Sequence, residues 1–242
     1  MNNEEANKIE KEIQNSDARK TYKRISYLID VYRIQEVNFI NLHRLLLAFN
    51  SPVSILPIWD IDKRDVLDSA ILELIRQIHN YLASVGMLID HTRILIDEYY
   101  SQTDFYKEYQ VRKDNTFACD MLSCFFHRLR NYILHISIPN PFSKIEMSID
   151  PVSKKQITSS KVMIRKTDLL LWSGWTEEAR KYLEGSPEEL DLLTIFNLYH
   201  EKIKEFNNWL IGRLKTIHSD DLNWLREKSN QLMIFYNEMK TK

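Results

Sequence analysis

Apolar residues recur at helical spacing over most of the chain and predict a largely helical fold. The first such pattern covers residues 17–50, with apolar side chains at steps of three and four. A second pattern covers about 65–100, and a third covers about 116–138, where Pro139 and Pro141 stop the helix. These three segments predict long amphipathic helices.

The remaining segments predict shorter or more polar elements. Residues 1–15 are polar and predict a frayed helical arm with little core, and residues 101–115 predict a polar connection. Residues 176–185 predict a short helix that begins at a capping Thr and ends at a Gly. Two final helices are predicted over 186–218, which opens on Ser-Pro-Glu-Glu, and over 220–239.

One segment interrupts this helical pattern with β-branched residues. Residues 144–149 and 156–164 flank a turn-like stretch at 150–155, so they predict a two-stranded hairpin. We expect this hairpin to be an insertion, over 142–172, in a single helical domain spanning 1–242. The predicted fold class is all-α, an up-and-down bundle of five to six helices with a small inserted β-hairpin.

Composition agrees with a folded, helix-rich chain and limits the classes of partner. Hydrophobic residues make up 44% of the 242 residues and charged residues 28%, with only 4 Gly and 6 Pro. Lys and Arg number 33 against 34 for Asp and Glu, so the chain has no overall positive field of the kind that marks a histone-like protein. Any contact with RNA must therefore be local.

Cysteine usage and hydropathy predict a cytoplasmic protein. Cys119 and Cys124 cannot by themselves form a disulfide framework or a zinc site, which favours a reducing compartment. The N-terminal residues lack the apolar segment of a signal peptide, and no run of about 18 apolar residues occurs that could span a membrane. We therefore expect no export and no membrane partner.

The predicted helix at 116–138 carries the residues with the clearest chemistry. His127, Asn131 and His135 follow one another at four-residue steps, so they line up on one helix face. Arg130 lies about a quarter turn from this line, and the negative end of the helix dipole favours cations here. The opposite face is predicted to be a buried apolar stripe of Leu122, Phe125, Leu129, Tyr132, Ile133 and Ile136.

The segment Arg130-Asn131-Tyr132-Ile133-Leu134-His135 resembles the signature of the HEPN superfamily. That signature is an Arg, a polar residue directly after it, and a His separated from the Arg by four to six residues. The long helix before the motif and the position of the motif near a helix end are also similar to the family. One departure is Ser137, which stands where the toxin branch has a Tyr, so regulation by modification of that Tyr is not expected.

The resemblance implies a homodimer that cleaves RNA without a metal or another cofactor. Two motif helices would meet so that two Arg and two His face one cleft. His135 would act as general acid or base, Arg130 would stabilise the phosphate, and Asn131 would orient either group. Such an enzyme would act as a toxin or an antiviral defence effector, with RNA as substrate and a cognate inhibitor or defence partner protein.

Further residues are candidates for substrate contact, each with an ordinary structural alternative. His127, His91 and Arg93 are predicted to line the same cleft as the motif. A single His on a mixed helix face is more often simply packed or hydrated, and Arg93 at three residues from Asp90 equally predicts an intrahelical ion pair. Lys154 and Lys155 make the hairpin turn basic, which is compatible with phosphate binding or with plain solvation.

A second occurrence of the relaxed Arg-to-His pattern keeps other functions open. The relaxed pattern recurs at Arg213 to His218, where the apolar Leu214 follows the Arg, and we interpret that occurrence as accidental. The alternatives are a non-catalytic HEPN-like module that binds RNA or protein, and a plain helical bundle in which Arg130 and His135 only complement the last helical carbonyls. Motifs for nucleotide hydrolysis, dinucleotide binding, zinc proteolysis and serine nucleophiles do not occur in the sequence.

Overall fold

The computed structural model describes residues 1–137, 139–151 and 153–240, which form ten helices and one three-stranded antiparallel sheet. The elements, in chain order, are α1 (Asn3–Asn15), α2 (Asp17–Phe49), α3 (Pro52–Ile55), α4 (Arg64–Tyr100), α5 (Asp104–Lys113), α6 (Met121–His135), β1 (Phe142–Ile149), β2 (Gln156–Arg165), α7 (Lys166–Leu170), α8 (Glu177–Gly185), β3 (Glu189–Asp191), α9 (Leu192–Ile217) and α10 (Ser219–Lys240). The predicted helical character and the long helices α2 and α4 are confirmed. The predicted number of helices, five to six, is too low.

Two of the helices lie in polar segments in which few apolar residues mark a periodicity. Helix α5 occupies the stretch predicted as a connection, because Thr103 caps it and Phe105 and Tyr109 are buried on one side. Helix α1 is ordered by a reciprocal capping box between Asn2 and Glu5. Local capping and a few buried side chains therefore suffice to form helices where the hydrophobic pattern is weak.

The motif helix α6 is shorter than predicted at its N-terminal end. A short π-helical segment, Asp114–Ala118, precedes it, and Asp120 caps it by accepting a hydrogen bond of 2.9 Å from the Ser123 N–H. The helix ends at His135, while Ile138, the predicted end, lies outside the described residues. Ile136 follows the last helical residue and is 57% exposed, so its predicted place in the buried stripe is wrong.

The predicted hairpin is confirmed as β1 and β2, and a third strand extends it. Strands β1 and β2 pair from Phe142 with Met163 to Ile149 with Gln156. Strand β3 pairs with β2 in the stretch where the Ser-Pro-Glu-Glu sequence predicted the start of a helix. That prediction is wrong because Leu190 is buried at this edge of the sheet, and helix α9 begins only after the pairing ends. The predicted turn includes Val152, which lies outside the described residues.

The described chain comprises two compact units. The first contains residues 1–32 and those from 207 onward. In this unit α1 packs on α10, where Tyr236 donates a 2.8 Å hydrogen bond to Glu10. Its buried apolar side chains include Ile25, Leu28, Leu210, Leu214 and Phe235. The single domain over 1–242 with its insertion at 142–172 stays a prediction.

The second unit, residues 33–206, holds every residue of the resemblance. Its core is rich in aromatic side chains that fix α6 against its neighbours. The rings of Phe126 and Tyr199 stack in parallel 4.2 Å apart, and Phe125 stacks on Trp175 at 5.6 Å. The motif helix is therefore held on both its α9 side and its α8 side.

A helix that crosses a membrane must be long and apolar over about 20 residues. Within the described residues, no single helix is both long and apolar enough to cross a membrane. Helix α2 and the following Pro52–Ile58 segment meet that measure only together, and they are bent by 81° at the break between them.

Candidate functional site

The buried face of α6 determines where the motif residues lie. Leu122, Phe125, Leu129 and Ile133 are buried, as the predicted stripe requires, while Tyr132 is half-buried. Phe126 is buried as well, which widens the packed face toward Arg130. The polar residues of α6 therefore occupy a narrower exposed strip than the sequence predicts.

Arg130 does not extend from an open helix face. Its side chain is half-buried, and its guanidinium lies against Gly86 in the middle of α4. Its Nε atom is buried without a hydrogen-bond partner, and in the described part of the chain Arg130 forms no ion pair. Arg130 is therefore less exposed than His127 and His135 on the same helix, because the absence of a side chain at Gly86 leaves room for the guanidinium between α4 and α6.

Two further side chains experience the charge of Arg130. Burial raises the pKa of the Tyr199 phenol on α9 well above its usual value, and the positive charge of Arg130 opposes that rise. Partial desolvation lowers the pKa of the largely exposed His127, and the charges of Arg130 and Arg128 lower it further. Arg130, His127 and Tyr199 thus form one electrostatically coupled group, which we call the Arg130 cluster.

His135 lies apart from this cluster. It is the last residue of α6 and is exposed to solvent. Asn131, one turn earlier, is half-buried. Across the described residues neither side chain has a hydrogen bond or ion pair, and no direct interaction joins His135 to Arg130. Within one copy of the chain, the predicted catalytic residues are therefore not assembled into one contact network.

Arg128 and Tyr132 on α6 have a structural role that sequence reasoning did not identify. The Arg128 guanidinium donates a hydrogen bond to the Gly174 carbonyl and lies 5.2 Å from the centre of the Trp172 ring. Tyr132 also contacts Trp172, with 5.4 Å between the ring centres. These contacts hold the segment between α7 and α8 on the motif helix. The guanidinium of Arg128 therefore has a packing role.

The predicted contact residues on α4 neighbour Asp90, whose charge acts on His127 of the Arg130 cluster. Arg93 and Asp90 form the intrahelical ion pair that their spacing allows, at 3.2 Å and with both side chains well exposed. Asp90 also acts on His127, since its negative charge opposes the lowering of the His127 pKa. His91 is half-buried on the same helix. The exposed surface here therefore carries both signs of charge.

A second polar group lies in the core of the second unit and was missed by sequence reasoning. His200 on α9 is 3% exposed, and its ring stacks in parallel on Phe39 with 3.4 Å between ring centres. Its Nδ1 lies 3.4 Å from Nε2 of Gln35, and its Nε2 lies 3.2 Å from Oε1 of Glu36. Burial lowers the pKa of His200 to about 4, so the imidazole is neutral at physiological pH. No local sequence pattern links residues this far apart.

The second Arg-to-His pattern and the basic hairpin add no residue to the candidate site. In the second occurrence of the relaxed pattern, Leu214 is fully buried, as its apolar character suggests. On the hairpin, Lys144 pairs with Glu189 at 2.7 Å and Lys161 pairs with Asp191 at 3.3 Å. The basic character of the hairpin is therefore concentrated at the exposed turn.

Metal ligands and comparisons add no further assignment. Among the described residues, no group of three or more His, Cys, Asp or Glu side chains is placed to hold a metal ion, and both cysteines are free. Compared with known proteins, the chain matches no protein-family model, no curated protein and no solved structure.

Proposed function

We propose that this chain is a cytoplasmic, metal-independent endoribonuclease of the HEPN type that acts as a homodimer. The observation that carries the proposal is the state of Arg130, a half-buried cation with a buried, unbonded Nε. Burying a charge without a partner costs free energy, and buried charges are normally paired. An anionic ligand such as a phosphate would supply the missing partner, and Arg binds phosphate through a fork of two N–H groups.

The exposed His135 supplies the proton transfer that RNA cleavage needs. A neutral His135 takes the proton of the 2′-OH, and the resulting oxyanion attacks the adjacent phosphorus. The bond from phosphorus to O5′ then breaks, and a protonated His135 of the partner subunit gives its proton to the leaving oxygen. The products are a 2′,3′-cyclic phosphate and a 5′-OH, and Arg130 stabilises the charge on the phosphorane oxygens.

Exposed apolar residues beside the site support a dimer. Ile89 and Ile94 on α4 are 47% and 56% exposed and border the ion pair of Asp90 and Arg93. Ile136, directly after His135, is also exposed. A second copy of the chain would cover these side chains and bring a second His135 to the cleft, which the reaction requires. A role as toxin or antiviral effector, controlled by a cognate inhibitor or defence partner protein, fits this activity.

Cleavage of a single-stranded RNA by the purified chain tests the proposal. We expect wild type to produce 2′,3′-cyclic phosphate ends, and His135→Ala to produce none. His79 is an exposed His elsewhere on α4, so His79→Ala is the matched control and should cleave like wild type. Cleavage by His135→Ala at the wild-type rate would refute the mechanism.

A second candidate, an RNA-binding module without catalysis, is favoured by the separation of His135 from the Arg130 cluster. In that case wild type binds RNA in gel-shift experiments and Arg130→Ala does not, but no cleavage is detected. The His135→Ala variant would then bind RNA as tightly as wild type.

A further inference from the structure

Helix formation does not explain why a Gly stands at position 86. It lies in the interior of α4 and is buried, and Gly is a poor helix former because of its backbone freedom. Gly212, the other Gly in the interior of a long helix, has open space around the position of a Cβ atom. At Gly86 the surroundings are different.

The side chain of Arg130 occupies the space that a Cβ atom at Gly86 would need. An ideal Cβ there would lie 2.3 Å from both Cζ and Nε of Arg130 and 2.6 Å from its Nη2. All three distances are well below ordinary van der Waals contact. The guanidinium therefore lies directly against the backbone of α4 at this one position.

We infer that Gly86 is a positioning residue for Arg130. Without a side chain at 86, the guanidinium lies against the α4 backbone, where its charge acts on Tyr199 and His127. A methyl group at 86 displaces the guanidinium toward solvent and away from that cluster. The importance of this position for RNA cleavage rests on the proposed function, whereas the steric dependence of Arg130 on Gly86 does not.

A double-mutant cycle tests the steric dependence without any assay of activity. The melting temperatures of wild type, Gly86→Ala, Arg130→Ala and the double variant are compared. Ala stabilises a helix relative to Gly, so Gly86→Ala should raise the melting temperature when Arg130 is absent and should raise it less, or lower it, when Arg130 is present. Gly212→Ala is the matched control and should shift the melting temperature equally in both backgrounds.

An equal effect of Gly86→Ala in the two backgrounds would overturn the inference. If Gly86→Ala alone does not fold, folding of the double variant supports the inference, and failure of both overturns it. The reaction of Arg130 with phenylglyoxal, followed by peptide mass spectrometry, gives a second measurement. Displacement of the guanidinium toward solvent should make this modification faster in Gly86→Ala than in wild type, and an unchanged rate counts against displacement.

The same variant tests the functional part in an RNA cleavage assay. We expect Gly86→Ala to reduce kcat/KM by at least about tenfold, because the displaced guanidinium no longer meets the phosphate in the transition state. Gly212→Ala should cleave like wild type. If wild type itself cuts no RNA, the proposed function fails, and the melting and modification experiments still decide whether Gly86 positions Arg130.

Discussion

Arg130 and His135 lie on one helix, five residues apart, yet α6 presents them in opposite ways. Arg130 is half-buried with its guanidinium against Gly86, whereas His135 is exposed at the helix end. A homodimer would resolve this separation, because His135 of one subunit would then act on a phosphate held by Arg130 of the other.

Arg130→Lys tests whether the site needs a guanidinium rather than a positive charge. A Lys ammonium cannot reproduce the fork of N–H donors that Arg offers to a phosphate, so we expect RNA cleavage to fall by at least about tenfold, or about 1.4 kcal/mol in transition-state stabilisation. Arg130→Ala should abolish cleavage. Arg76 forms only an exposed intrahelical pair with Glu73, so Arg76→Lys should leave the rate unchanged. Equal activity of Arg130→Lys and wild type would contradict phosphate recognition by Arg130.

Asn131→Asp adds a negative charge next to Arg130 without a large change in shape. Asn131 is half-buried and has no hydrogen bond within the described residues, so unfolding free energy should change by less than about 0.5 kcal/mol. RNA affinity, measured by fluorescence anisotropy, should fall because the carboxylate repels the phosphate and competes for the Arg130 guanidinium. If the affinity is unchanged, the RNA phosphate does not bind next to Asn131 and Arg130.

Ile89→Glu should disrupt the proposed homodimer. Ile89 is exposed beside the candidate site, and a buried carboxylate at the subunit interface would be unpaired and therefore costly. Sedimentation velocity should show a dimer for wild type and a monomer for Ile89→Glu, with loss of cleavage. Leu72, at the other end of α4, is 64% exposed, and Leu72→Glu serves as the matched control that should remain dimeric. A wild-type chain that sediments as a monomer while cleaving RNA would refute the two-His mechanism.

Cleavage should survive chelation of metal ions. In the proposed reaction, RNA supplies the 2′-OH nucleophile, and the protons move through His135, so no step uses a metal-bound water. We expect equal rates with EDTA and with added Mg²⁺ once ionic strength is matched. Loss of cleavage in EDTA and its recovery on adding a divalent cation would replace this mechanism with a metal-dependent one.

The hydrophobic pattern predicted the long helices because α2 and α4 bury a regular stripe over many turns. It did not predict α5, whose two buried aromatic residues are too few to define a period. It also did not predict β3. There the Ser-Pro-Glu-Glu sequence is typical of a helix start, but Leu190 pairs with Ile164 on β2 instead. Non-local contacts of this kind leave no trace in local sequence patterns.

The candidate site shows the same division between local and non-local information. Spacing along α6 correctly placed His135 at a helix end and Leu129 in the core. It could not reveal that Gly86 would make room for Arg130, since the two residues lie on different helices. The surroundings of His200 were missed for the same reason, because Gln35 and Glu36 are far from it in sequence.

The buried His200 predicts a specific loss of stability in mild acid. In the folded chain burial lowers its pKa from 6.5 to about 4, whereas in the unfolded chain the imidazole titrates at its ordinary value. The unfolded state therefore binds the proton first as the pH falls. Above about pH 6.5 the imidazole is neutral in both states, and the unfolding free energy is not reduced by His200. Between about pH 6.5 and pH 4 protonation of the unfolded state lowers the unfolding free energy, by about 3 kcal/mol at most.

Urea unfolding of wild type and His200→Gln at a series of pH values measures this contribution. His200→Gln removes the titrating group, so its unfolding free energy should fall less steeply than that of wild type between about pH 6.5 and pH 4. His79→Gln replaces an exposed His and should follow the wild-type curve. The other acidic groups titrate in all three proteins, so the difference between the curves isolates His200. Parallel curves for wild type and His200→Gln would mean that Glu36, 3.2 Å from the imidazole, compensates the cost of burial and keeps the His200 pKa near its ordinary value.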